Sequence, residues 1–296
     1  MADAYTPKHG KIRHTGRNIA LTLMLLLLGM LAWLLIEPHT LHIERVTVES
    51  GSLEKNVGQL RIVYISDIHQ SSWPFFTSGD AASLVKTINA QNADLILLGG
   101  DYATDPASAI DFFRDLPRLR SSHGCYAVLG ECDRDLSGGR LQQLCSMMAS
   151  KGVTPVINTV ERVRVGTQNI CIAGLDDALA GWPDTAGVAA QCKQEDFVIL
   201  MAHNPSLAAD AMNAQDMNGQ KTWFDLSLFG HTHGMSTSLL GNLIGLPQAY
   251  GDFQYGWYFP NRSSMLVSGG VGTTVLPLRF GRKPQIHVIT VRSTAR

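Results

Sequence analysis

Acidic and imidazole side chains stand where five apolar runs of this chain end. Leu60-Arg-Ile-Val-Tyr-Ile-Ser66 leads into Asp67 and His69, and Leu95-Ile-Leu-Leu-Gly-Gly100 ends at Asp101. Tyr126-Ala-Val-Leu-Gly130 ends at Glu131-Cys132-Asp133. Phe197-Val-Ile-Leu-Met-Ala202 ends at His203-Asn204, and Leu226-Ser-Leu-Phe-Gly230 at His231-Thr232-His233. Asp67 and His69 are two apart, a spacing that on a strand turns both side chains to one side, towards one metal ion. Hard carboxylate oxygens beside imidazole nitrogens favour Mn, Fe, Zn or Co over Ca. Taken singly these residues say little: Asp-x-His recurs by chance, and His203 before Asn-Pro suits a helix cap. Five apolar runs ending in Asp, Glu or His describe a metal site on the carboxyl edge of a sheet.

Such convergence needs the runs to lie side by side as strands. The repeated order strand, loop, helix argues for an α/β architecture. Helices are expected over Ala81 to Gln91, with apolar spacing at Leu84, Val85 and Ile88, and over Ala107 to Leu119, broken by Pro117. A third is expected over Ser137 to Lys151, with Ser137 as a candidate N-cap. Leu41 to Glu49 alternates and reads as an edge strand. Thr154 to Ala173 reads as strands with a hairpin turn at Gly166-Thr-Gln-Asn169. Met265 to Ser268 and Gln285 to Val291 read as closing strands. The acids Asp176 and Asp177 cap a turn or line the site, with the larger share given to the turn. Trp73-Pro-Phe-Phe76 is either a buried flap or an apolar lip. Residues 234 to 263, with Tyr250, Phe253, Tyr255, Trp257 and Tyr258, form a long loop too apolar for disorder, of a length that is usually functional.

The 296 residues are 45% apolar and 17% charged, with a net charge of -1. Without a membrane segment about 250 remain, which suits one large domain. No basic run follows Arg17, so nothing suggests a nucleic-acid partner. The five cysteines lack CxxC spacing, which argues against a disulfide framework; one pair would form only in an oxidising compartment. Residues 1–18 form a basic tail. Ile19 to Ile36 is uncharged, rich in Leu and just long enough to span a bilayer. No small-residue cleavage site follows, so the stretch reads as an uncleaved anchor. The charge bias favours a cytoplasmic tail and an outward-facing domain. The expected division is therefore tail 1–18, transmembrane anchor 19–36, linker and edge strand 37–58, and catalytic domain 59–296.

The series D-x-H, G-D, G-x-x-D, H and G-H-x-H, in that order between residues 60 and 233, resembles that of the calcineurin-like metallophosphoesterases. The resemblance implies a four-layer α/β/β/α sandwich holding two divalent metal ions about 3.5–4 Å apart. It implies that Asp67, His69 and His233 hold the first metal, that Asp101 bridges, and that Glu131, His203 and His231 hold the second. A metal-bridging hydroxide would then attack a phosphodiester or pyrophosphate, with Asp101, Cys132 and His203 as the catalytic residues. Two positions depart from the common pattern. Glu131 stands for the usual Asn, adding charge that tightens metal binding and lowers Lewis acidity. Cys132 stands where the family often has a His, whose general-acid help is worth about 10²–10⁴-fold; a thiol is a poor substitute. That favours substrates with better leaving groups, such as a nucleotide or a pyrophosphate arm. Asp133 is implied to orient the neighbouring motif, with a capping role as the alternative, and Arg134 reads as a surface salt bridge.

The stretch His231 to Arg279, with Gly269-Gly-Val-Gly-Thr-Thr-Val-Leu-Pro-Leu-Arg279, looks like a branch of membrane-anchored bacterial phosphodiesterases. Some of these hydrolyse UDP-2,3-diacylglucosamine in lipid A synthesis. The implied partners are an amphiphilic or nucleotide-linked phospho-substrate and the inner membrane. That substrate requires a cytoplasmic domain, whereas the charge bias favours an outward one. The rival reading is a degenerate, non-catalytic membrane-anchored metal- or phosphate-binding module, favoured only by Gly130-Glu-Cys-Asp133.

Overall fold

The computed structural model describes residues 10–73, 75–134, 139–193, 196–221, 223–235, 253–260, 263–274, 276–279 and 281–295. Its strands form two six-stranded sheets. The first contains β1 (His42–Ser50), β2 (Gln59–Ile65), β3 (Leu95–Leu98), β4 (Cys125–Ala127), β5 (Val153–Pro155) and β12 (Gln285–Ser293). Their order is β1-β12-β2-β3-β4-β5. The second contains β6 (Thr159–Val165), β7 (Gln168–Gly174), β8 (Phe197–Met201), β9 (Leu226–Phe229), β10 (Gly256–Tyr258) and β11 (Ser264–Val267), ordered β10-β11-β9-β8-β7-β6. The strands that lead into candidate ligands run parallel: β2, β3 and β4 in one sheet, β8 and β9 in the other. Their carboxyl ends therefore share one edge within each sheet. Strands buried on both faces read as unbroken apolar runs, and β3, β8 and β9 are buried at every position.

Three apolar clusters hold the layers. Leu60, Ile62, Tyr64 and Leu97 of the first sheet pack with Ile172, Ile199, Met201 and Leu228 of the second. The alternate residues Val63, Ile65, Ile96 and Leu98 pack with helices α2 (Ser78–Asn89), α3 (Pro106–Asp115) and α4 (Gly139–Ser150). On the outer face of the second sheet, Val198, Leu200 and Phe229 pack with α5 (Thr185–Ala189) and α6 (Ala208–Asn213). Local signals start the helices. Thr77 and Asp80 form a reciprocal capping box on α2, which satisfies two otherwise orphaned N–H groups. Asp105 caps α3, with Pro106 in its first turn. Leu116 then turns extended, as the residue before a proline prefers. The expected cap Ser137 lies outside the described residues, as does Pro74 of the Trp73 to Phe76 stretch.

The alternating stretch near residue 41 is the edge strand β1, and its whole length pairs with β12, making it part of the sheet. The segment 234–263, read as one loop, contains β10; residues 236–252, including Tyr250, lie outside the described residues. Helix α1 (Gly10–Ile36) precedes both sheets. Thr15 to His39 forms a helix long and apolar enough to cross a membrane, with none of its apolar window buried. Between the sheets, Leu228 is fully buried, and such a site cannot close over a lost side chain. Leu228→Ala is expected to cost about 2–5 kcal/mol, read as a lower urea midpoint with unchanged slope.

Candidate metal centre

The loops after β2 and β3 continue side by side beyond the strands. The N–H groups of Asp67, His69 and Gln70 donate to the carbonyls of Gly100, Asp101 and Tyr102 at 2.9–3.0 Å. Asp67 and His69 lie past the end of β2, and both adopt left-handed backbone, φ 53° and 46°. They meet because the loop curls, not because a strand alternates. Asp101, His231 and His233 are left-handed too. The other described non-glycine residues with positive φ are Asn92 and Asn158, a residue type that tolerates it. Each such residue costs of order 1–3 kcal/mol, and five of them aim side chains at one place. Glycines give them room. A Cβ on Gly130 would lie 2.2 Å from Asp101 Oδ1, and one on Gly230 would lie 2.4 Å from Asp67 Oδ2.

The seven candidate ligands come together in two groups. Asp67, His69 and His233 offer ligand atoms within 4.8 Å of one another, as do Glu131, His203 and His231. His69 Nε2 faces His233 Nε2 at 3.2 Å. Glu131 Oε2 lies 3.1 Å from His203 Nε2 and 3.0 Å from His231 Nδ1. Asp101 Oδ2 stands between the groups, 3.4 Å from His69 Nε2 and 3.5 Å from His203 Nε2. Asp67 Oδ1 is shared as well, 3.8 Å from both His203 and His233. His203 Nδ1 lies 2.7 Å from the Gly99 carbonyl, so Nδ1 carries the proton and Nε2 faces the carboxylates. A backbone partner of this kind fixes the tautomer of a metal-binding histidine.

Burial would lower the pKa of His203, but Asp101, Glu131 and Asp67 outweigh it and hold the imidazole well above its usual range. His233 moves the other way, to about 4, chiefly through burial, with His69 and Arg279 adding to the shift. Burial opposes ionisation of Glu131, yet hydrogen bonds from His203 and His231 hold its carboxyl far below the usual value. A bound dication reverses this local logic and requires Nε2 to be unprotonated. Asp67 Oδ2 is buried with no hydrogen-bond partner, although buried carboxylate oxygens are normally satisfied. His203 Nε2 also has no hydrogen-bond partner and lies 3.1–3.8 Å from carboxylate oxygens of Glu131, Asp101 and Asp67, an arrangement that fits divalent metal.

Asp133 orients its surroundings. Its Oδ2 accepts N–H bonds from Asp101 (2.6 Å) and Gly130 (3.0 Å), and its Oδ1 accepts from Tyr102 (3.0 Å). Cys132 N–H donates to Asp101 Oδ1 at 2.9 Å, and its thiol lies among His69 and Asp101. Burial pushes that thiol well up, and Asp101 and Glu131 push it further. Both effects oppose ionisation of the thiol and so a nucleophilic role for it. Arg134 does form a salt bridge, to Asp176 at 2.9 Å, but a buried one. The surface reading failed because its partner lies far along the chain, on the loop after β7. Asp176 and Asp177 cap that turn, accepting N–H bonds from Trp182, Leu179 and Ala180.

Residues 268–272 support the site and were not singled out for it. Gly272 and Val271 donate N–H bonds to the Asp67 carbonyl at 2.7 and 3.2 Å. Gly270 is left-handed, and a Cβ there would lie 2.6 Å from Asp67 Cβ. The signal was the run Gly269-Gly-Val-Gly272, legible as a close backbone approach. His287, left unassigned, is structural: it contacts Glu44 and Ser268. The cysteines are free, with Cys125, Cys171 and Cys192 buried.

Similarity to known proteins agrees with this geometry. The family model for calcineurin-like phosphoesterases matches residues 60–235. The chain is 31% identical over 266 residues to the metallophosphoesterase YkuE of Bacillus subtilis, covering 88% of each chain. It is 24% identical over 269 residues to a metallophosphoesterase of Aquifex aeolicus, covering 87% of this chain and 94% of the other. It is 27% identical to a bovine transmembrane protein with a metallophosphoesterase domain, covering 84% of this chain and 56% of the bovine one. With the strand-end residues and the length of these matches in agreement, the chain belongs to the calcineurin-like phosphoesterase family.

Proposed function

We propose that the protein is a membrane-anchored phosphohydrolase with two metals, cleaving a phosphodiester or pyrophosphate bond. The observation that carries this reading is the position of Asp101 Oδ2, within 3.5 Å of an imidazole from each ligand group. Divalent ions held there would neutralise the phosphoryl oxygens and acidify the attacking water. Asp67, His69 and His233 would hold one ion, Glu131, His203 and His231 the other, and Asp101 both. Asp133 would fix Asp101 by binding its N–H. The Gly99 carbonyl would keep His203 Nε2 turned inward. Cys132, where the family often has a His, can offer only the weak hydrogen bond of a thiol to a leaving oxygen. That supports diesters and anhydrides over monoesters.

The three apolar clusters support the four-layer α/β/β/α arrangement, and the exposed apolar surface of α1 supports its role as an inner-membrane anchor. Membrane attachment supports an amphiphilic or nucleotide-linked substrate. Trp73, 79% exposed, suits an apolar lip for acyl chains. UDP-2,3-diacylglucosamine remains the named candidate by sequence resemblance alone, and it requires the domain to be cytoplasmic. A reporter fused after Arg296 is expected to be active on the side where the enzyme works. A periplasmic signal would exclude the lipid A substrate and leave the hydrolase reading standing.

Purified full chain with manganese should hydrolyse bis(p-nitrophenyl) phosphate, lose turnover on chelation and regain it on readdition. Tight metal binding without turnover in any metal, with activity gained by Glu131→Asn and Cys132→His, would support the non-catalytic reading instead. Asp101→Ala should abolish turnover; retained activity would refute the bridging role. Removal of a residue that orients a ligand typically costs about 10–100-fold in metal affinity or activity. Asp133→Ala should fall in that range, measured by metal titration followed calorimetrically.

A further inference from the structure

The register of the first sheet fixes where α1 joins it. His42 opens β1, pairs with Gln285 and donates its N–H to the Pro284 carbonyl at 2.7 Å. β12 then runs antiparallel to β2, with His287 opposite Tyr64. The chain thus enters the sheet from α1 at the edge where β2 delivers Asp67. Two buried side chains fasten this junction. Glu37, 2% exposed, accepts the Gly281 N–H at 2.9 Å. Arg279, 1% exposed, donates its backbone N–H to the Leu34 carbonyl at 3.3 Å and its guanidinium to the Gly272 carbonyl at 2.5 Å. Gly272 donates in turn to the Asp67 carbonyl. A candidate metal ligand is therefore tied to the apolar helix through Arg279 and Gly272.

The same edge is unusually apolar outside the site. Loops leaving β2, β7 and β11 expose Trp73, Trp182 and Leu276 at 79, 73 and 50%. Arg282 and Lys283 are exposed beside the Glu37–Gly281 contact. Tryptophan settles at membrane–water interfaces, and basic residues there are drawn to anionic lipid phosphates. From Ile19 to Ile36 the side chains of α1 are exposed apart from Leu34, which is half-buried at this junction, so the apolar rim continues a helix already suited to lipid.

We propose that the metal-bearing edge is apposed to the surface of the bilayer that α1 crosses. Trp73, Trp182 and Leu276 enter the interface, and Arg282 and Lys283 meet anionic headgroup phosphates. The site then takes its phosphoester from the headgroup layer rather than from bulk water. This statement about substrate rests on the hydrolase reading above, whereas the apposition does not.

The test uses the full chain in nanodiscs of phosphatidylcholine and phosphatidylglycerol whose acyl chains carry bromine near the headgroup. Bromine quenches nearby tryptophan. Phe259, 71% exposed, follows β10, which runs antiparallel to β11, and so marks the opposite edge. The quenched fraction of emission should fall in Trp73→Phe and in Trp182→Phe, and Phe259→Trp should add emission that is not quenched. The apposition is overturned if Trp73→Phe and Trp182→Phe leave the quenched fraction unchanged, or if Phe259→Trp is quenched as strongly. Shielding of Trp73 and Trp182 from acrylamide without quenching by bromine would instead assign this edge to a second copy or another protein, also overturning it. Turnover of bis(p-nitrophenyl) phosphate on the same discs separates the claims. Turnover without quenching removes the apposition alone, whereas quenching without turnover in any metal removes the hydrolase reading and the substrate statement with it.

Discussion

Three carboxylates and four imidazoles crowded into one largely buried pocket are the constraint on which the rest of the structure depends. Two like charges 4 Å apart repel by about 4 kcal/mol at an effective dielectric near 20. Asp67 and Asp101 are almost wholly buried and need compensating positive charge. Divalent ions, held through unprotonated imidazole nitrogens, would provide it. Around this need the backbone accepts five left-handed residues, and Gly130 and Gly230 give up side chains so that Asp101 and Asp67 can sit where they do. The two sheets hold the strained loops from both sides.

The departures from the family pattern lie within one turn. Glu131 keeps an oxygen donor and contacts two imidazoles. Cys132 keeps the backbone N–H that Asp101 Oδ1 accepts, whatever its side chain contributes. The turn therefore keeps its backbone contact with Asp101. This is where selectivity for the leaving group would be set.

Much of the site was legible because buried parallel strands leave an unbroken apolar signature, and each ended at a residue able to bind metal. Helix starts were legible for an equally local reason: Thr77 and Asp105 cap through neighbouring backbone. What escaped was non-local. Pairing of β1 with β12 joins the two ends of the domain, and no periodicity announces it. The burial of Arg134 depends on Asp176, a partner on another strand's loop. The convergence of Asp67 with His69 was anticipated, but its cause, left-handed loop backbone, cannot be read from a spacing of two. The support that Gly270 and Gly272 give Asp67 becomes evident only when the closing loop is seen against β2.

The central claim is that Asp101 joins two metal ions in one centre. Electron paramagnetic resonance of the full chain titrated with manganese tests it most directly. Two manganese ions per chain should give the broad, exchange-coupled spectrum of a bridged pair, and Asp101→Ala should lose the coupling. A simple six-line spectrum that saturates at one ion per chain would contradict it.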